Sequence, residues 1–105
     1  MPDFSKMLEQ AQAMQSKLQQ MQDDLQHQRV TGTAGAGAVS IEADGKGNVV
    51  KVSIDRGVVS PDDVAMLEDL ILVAVNQAQQ KAADIAKIEM GKMTGGLNLP
   101  FKLPF

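Results

Sequence analysis

The 105-residue chain contains no cysteine, tryptophan or tyrosine, and only one histidine. Without thiols it can form no disulfide and no cysteine-ligated zinc site, a composition that suits the reducing cytoplasm. The lone His27 sits at an outward position of a helical pattern with no acid and nucleophile beside it. A catalytic triad or a transition-metal cage cannot be assembled from it, and it reads as a surface residue. Aromatic residues are limited to Phe4, Phe101 and Phe105, too few to stack a row of bases, which argues against single-strand and base-flipping modes of binding. No apolar run approaches bilayer length, and the first five residues lack the basic and apolar regions of a secretion signal. Basic charge is scarce too. Ten Lys and Arg stand against thirteen Asp and Glu, a net charge of -3, which repels nucleic acid at long range. Phosphate-binding loops are also missing: Lys46 precedes Gly47 and Lys92 precedes Met93, where a Ser or Thr is required, and Gly32-x-x-Gly35-x-Gly37 has the wrong glycine order for a dinucleotide fingerprint. No enzyme, cofactor, metal site, small-molecule substrate or membrane association is expected.

What is present is periodicity of two kinds. From Val39 to Ile54, Val39, Ile41 and Ala43 alternate with polar residues, and after Asp44-Gly45-Lys46-Gly47-Asn48 the alternation resumes at Val50, Val52 and Ile54, the pattern of a β-hairpin. The glycine-containing stretch from Arg29 to Gly37 adds a first, weaker strand, giving a three-stranded antiparallel meander. Before it, Phe4, Met7, Ala11, Met14, Leu18, Met21 and Leu25 recur at spacings of three and four, predicting a helix over residues 3 to 28 with a coiled-coil-like seam. That seam packs on the chain's own domain or pairs with a second molecule, and the helix is long enough to overhang a six-residue strand. The fold class is therefore α+β, with a long helix at each end of the meander.

The second helix is announced by Ser60-Pro61-Asp62-Asp63, read as Ser60 at the N-cap with Pro61 in the first turn. The acids Asp62, Asp63, Glu68 and Asp69 serve the helix start better than a metal, because adjacent helical carboxylates point to different sides. Val64, Leu67, Ile71, Ala74, Ala78, Ala82 and Ile85 form the stripe that covers the sheet. A second stripe, Met66, Leu70 and Val73, lies on another side and implies burial by a second copy of the chain. The helix is expected to fade near Gly91. Residues 1 to 92 make one domain, and 93 to 105 a mobile apolar tail carrying Leu97, Leu99, Phe101, Leu103 and Phe105. Seven acids lie between residues 31 and 80, whereas Lys81, Lys87, Lys92 and Lys102 make the last quarter locally positive. Such a run is a solvated face or a phosphate track, and charge alone assigns no DNA binding.

Taken in order, the Met- and Gln-rich leading helix, Val30-Thr31-Gly32 with Ala34-Gly35, Gly37 and Val39, the segment Gly45 to Asp55, Met66-Leu67-Glu68-Asp69-Leu70, and Gly91 to Pro100 resemble the YbaB/EbfC nucleoid-associated proteins of bacteria. That resemblance runs nearly end to end. It implies a cytoplasmic, nucleoid-located homodimer with helices projecting like tweezers, which binds duplex DNA with little sequence preference and affects nucleoid organisation and gene expression. DNA contacts in the family are attributed to the helices. Charge and position select Lys17, Lys81, Lys87 and Lys92, with Lys6 as a further candidate, on the expectation that Lys81, Lys87 and Lys92 lie where the second helix projects past the sheet. A prefoldin-like chaperone shares the order helix, hairpin, helix. It requires a heptad seam along both helices, however, and the second helix lacks one.

Overall fold

Residues 4 to 94 are described by a computed structural model. Helix α1, Phe4–His27, leads into strands β1, Arg29–Ala34, β2, Val39–Asp44, and β3, Val49–Ile54, and a 3-10 turn at Arg56–Val58 precedes helix α2, Val64–Thr94. The strands form the expected antiparallel meander in the order β1, β2, β3. Of the tail expected to be mobile, residues 95 to 105 lie outside the described residues.

The core forms where α2 crosses β1 and β2. Val30, Val39, Ile41 and Ala43 from the sheet meet Ala74, Ala78 and Ala82 from the helix, all of them buried. Alanine at every fourth position brings the helix close to the sheet, and β1 answers with Gly32, itself buried. A Cβ on Gly32 would fall on the Ala74 carbonyl oxygen and the Ala78 amide nitrogen, so helix and strand backbones touch directly. A helix is about 10 Å wide and strands are spaced about 4.8 Å apart, so a single helix covers two strands and leaves a third bare. That third strand is β3, every residue of which is exposed.

Pairing of β2 with β3 runs Val39 to Ile54, Ile41 to Val52 and Glu42 to Lys51, then slips so that Ala43 faces Val49. Val50 is the extra residue of this β-bulge, and the simple alternation expected through Val50 is broken there. Val49, Val52 and Ile54, opposite core residues of β2, lie on the core-facing side of the sheet beyond the reach of α2.

The connection from β2 to β3 holds the end of α1. Asp44, 4% exposed, accepts hydrogen bonds from the Lys46 amide at 2.9 Å and from the Asn48 amide and side chain at 3.0 and 3.2 Å. Burial by itself would push the Asp44 carboxyl up, but the bonds from Asn48 and Lys46, together with the positive Arg29, hold it below the ordinary aspartate value. Within this turn the Gly45 amide donates to the Leu25 carbonyl at 2.7 Å. A Cβ on Gly45 would lie 2.6 Å from that same oxygen. Other groups close the C-terminus of α1: the Arg29 guanidinium donates to the Gln26 and Gln28 carbonyls, and Nδ1 of His27 lies 2.7 Å from the Asp23 carbonyl. Only Met21 and Leu25 of α1 are buried, so the rest of the helix extends past the sheet as the length argument requires.

Both ends of α2 depart from expectation. Ser60 does not cap the helix; its hydroxyl accepts from the Asp62 amide and its carbonyl from the Asp63 amide, which folds Ser60 to Asp63 into a separate turn. Asp63 is the N-cap, accepting from the Met66 amide three residues on, the usual reach of a capping carboxylate. At the other end α2 passes through Gly91 and stops at Thr94, directly before Gly95-Gly96. One helical glycine costs only about 1 kcal/mol, whereas a pair is a stronger stop.

Because Gly32 has no room for a methyl group, Gly32→Ala forces α2 away from β1. The expected loss is about 1 to 3 kcal/mol, the scale of overpacking, read as a lower urea midpoint with unchanged slope. A variant as stable as the parent contradicts the close approach.

Candidate nucleic-acid interface

The four lysines singled out by charge occupy three different environments. Lys17, midway along α1, and Lys92, in the last turn of α2, are far apart in sequence, yet they line one cleft with Gln20, Met21, Asp24 and Glu89. The helices run antiparallel here. Gln22 and Leu25 lie level with Gln79, Ala83 and Ala86, and α2 then tracks outward along α1. The Lys92 ammonium is 3.4 Å from Glu89, but its side chain is 70% exposed, so the pair leaves the lysine available to solvent and contributes little stability. Lys17 carries no ion pair among the described residues. Asp24 and Glu89 temper the positive charge of this cleft.

Lys87 is exposed near Gln80, Asp84 and Met90, and Asp84 also accepts a hydrogen bond from Gln80. Lys81 differs from the other three. Its Nζ donates to the Thr31 carbonyl at 2.7 Å, and one helical turn earlier Gln77 accepts from the Thr33 amide at 2.7 Å. These groups belong to the outer edge of β1, which has no strand beside it. Two side chains of α2 thus satisfy backbone groups that would otherwise invite another strand. Lys81 therefore lies against the sheet, contrary to the expectation that it sits where α2 projects beyond it. Its position one turn below the close approach at Gly32 brings it within reach of the strand.

The stripe expected to meet a second copy is divided. Met66 and Val73 are 38% and 54% exposed, but Leu70 lies on the turn between β1 and β2. A Cβ on Gly35, whose φ is +63°, would be 3.2 Å from the Leu70 side chain, so Leu70 is partly used by its own chain. Apolar groups that sequence reasoning did not select are also bare: Val49, Val52 and Ile54 of β3 and Leu72 of α2. The signal for them was the mismatch between three strands and one covering helix.

Half-buried and exposed apolar groups on a small meander, two outward-running helices and lysines gathered toward their free ends together describe a helix-bearing binding module. The chain belongs to the YbaB/EbfC DNA-binding family, whose model matches residues 1–97. It is 48% identical to a nucleoid-associated protein of Gemmatimonas aurantiaca over 98% of this chain and 99% of that protein. A nucleoid-associated protein of Paramagnetospirillum magneticum is 50% identical over the full length of both. In fold the chain is similar to an uncharacterized protein of Helicobacter pylori, with a TM-score of 0.80 and 22% identity, covering 90% of this chain and all of that one.

Lys81→Ala exposes the Thr31 carbonyl on the strand edge and is expected to cost about 1 kcal/mol, the worth of a hydrogen bond from a charged donor partly replaced by water. Lys87→Ala should stay within about 0.5 kcal/mol of the parent. Urea denaturation of the two variants checks the contrast. Equal stabilities contradict the edge-capping role of Lys81.

Proposed function

We propose that this protein binds duplex DNA as a homodimer, mainly through the phosphate backbone, and so takes part in nucleoid organisation and gene expression in the bacterial cytoplasm. Membership of a DNA-binding family is the observation that carries this reading. Charge placement supports it. The acids Asp62, Asp63, Glu68 and Asp69 cluster at the start of α2, whereas Lys87 and Lys92 lie toward its free end beside the arm that bears Lys6 and Lys17. A two-fold copy would present two such ends around a gap. Each lysine there meets phosphate as a point charge, without the bidentate base contacts that read sequence, which fits binding with little sequence preference. Lys81 is assigned to the sheet edge and left out of the contact set.

The dimer reading rests on apolar groups that the protomer leaves in water. Val49, Val52 and Ile54 of β3 adjoin the core on an unprotected edge, and Met66, Leu72 and Val73 are bare on the first half of α2. Apolar surface on this scale in so small a chain calls for a partner of matching chemistry, and a second copy supplies it.

Duplex titrations at several salt concentrations test the DNA reading. Lys17→Glu, Lys87→Glu and Lys92→Glu combined should weaken binding to unrelated duplexes alike and flatten the salt dependence by roughly 0.9 for each phosphate no longer neutralised. The fold should survive because all three side chains are exposed. Unchanged affinity and slope in a folded variant would remove these lysines from the interface, and a parent that fails to bind duplexes at low salt would refute DNA binding itself.

Sedimentation tests the dimer, with 11.2 kDa expected for a monomer and twice that for the parent. Val52→Asp and Val73→Asp replace side chains that the protomer does not bury and should shift the mass to the monomer with the fold intact. Leu70→Asp would also disturb the packing on Gly35 and is less informative. A monomeric parent contradicts the homodimer.

A further inference from the structure

The outer half of α1 carries an apolar seam that nothing in residues 4 to 94 covers. At its inner end Met21 and Leu25 are 9% and 3% exposed, but on the same line Phe4 and Met7 are 70% and 58% exposed and Leu18 is 37% exposed. The change occurs where α2 ends. Lys92 stands beside Lys17, α2 is running outward along α1, and its last residue is Thr94. The chain therefore leaves α2 at the point where the seam loses its cover, already heading along it.

The eleven residues that follow, 95 to 105, have the composition and the length to continue that cover. Leu97, Leu99, Phe101, Leu103 and Phe105 occupy every second position, and Asn98, Pro100, Lys102 and Pro104 fill the positions between. Proline removes the option of prolonging α2, whereas an extended chain with this alternation would present all five large side chains on one side. From Leu18 to Phe4 the seam measures about 21 Å at 1.5 Å per residue, and eleven extended residues reach at most about 36 Å. Spacings agree as well: alternate residues of an extended chain lie about 6.6 Å apart, close to the roughly 5 Å between successive seam positions. Gly95-Gly96 supplies the freedom to change from helix to extended chain.

We propose that the segment Leu97 to Phe105 docks along the seam formed by Phe4, Met7, Ala11, Met14 and Leu18 of the same chain, extending the contact that α2 makes at Met21 and Leu25. The tether holds the segment at high effective concentration beside the seam, an advantage that a separate molecule lacks. Docking would steady an arm that otherwise stands alone as a single helix in water, where short isolated helices fray.

Because the chain has no cysteine, Lys102→Cys provides one site for a nitroxide label between two seam-facing residues. In the full-length protein, with the labelled chain diluted into unlabelled copies, the amide signals of Met7 to Met14 should be lost and should return when the nitroxide is reduced, while those of β3 persist. Loss of β3 signals instead, no loss at all, or loss only when the label and the observed helix are on different molecules would overturn the proposal, the last by assigning the seam to a partner's tail. As an independent measurement, Leu99→Ser, Phe101→Ser and Leu103→Ser together should speed hydrogen exchange of the outer α1 amides several-fold and leave those of Ala74 and Ala78 unchanged. Unaltered exchange in α1 would overturn it equally.

Discussion

Direct backbone approach of α2 to β1 is the constraint on which the rest of the structure depends. It requires a residue without a Cβ at Gly32 and small residues at Ala74, Ala78 and Ala82. Large core side chains would have held the helix farther off and spread it over more of the sheet. With small ones it sits tightly over β1 and β2. That single placement buries Val39 and Ile41 completely, puts Gln77 and Lys81 within reach of the β1 edge, and leaves β3 without a cover.

The two edges of the sheet are consequently unlike. At β1, the exposed amide and carbonyl are occupied by side chains of the overlying helix, which makes further strand pairing unfavourable. At β3, no such groups intervene among the described residues, and valine and isoleucine face the solvent. A protein that protects one edge with polar contacts and leaves the other apolar is asymmetric in what it can join. We assign the apolar edge and the bare first half of α2 to self-association, and the opposite, lysine-bearing ends of the helices to DNA.

Placement of the helices also accounts for how the candidate interface is assembled. The turn from Asp44 to Asn48 grips α1 only at its C-terminus, through Gly45 and Leu25, so α1 leaves the sheet after two buried residues and meets the outgoing end of α2. Lys17 and Lys92 come together as a result of that geometry, and the acids that precede α2 remain at its other end. Charge segregation along the helix axis, more than net charge, is what makes a chain with an overall charge of -3 compatible with a polyanionic partner.

Both helices, all three strands and their order were legible in the sequence, because periods of two and of three to four are properties of neighbouring residues and report which face of each element is apolar. The family was legible for a related reason, since its motifs are local and their order survives along the chain. Contacts between residues distant in the chain were not. Ser60 and Asp63 are both good caps, and only the local turn decided that Asp63 captures the Met66 amide. Lys81 and Lys87 are both lysines on the polar side of one helix, yet the position of Gly32, far earlier in the chain, gives the first to the Thr31 carbonyl and leaves the second to solvent. Likewise Leu70 was indistinguishable from Met66 and Val73 until the turn at Gly35 was folded beneath it. By itself the sequence determined which elements form and which faces are apolar; the tertiary structure alone decided which faces and charges are already occupied, because that depends on how closely one backbone can approach another.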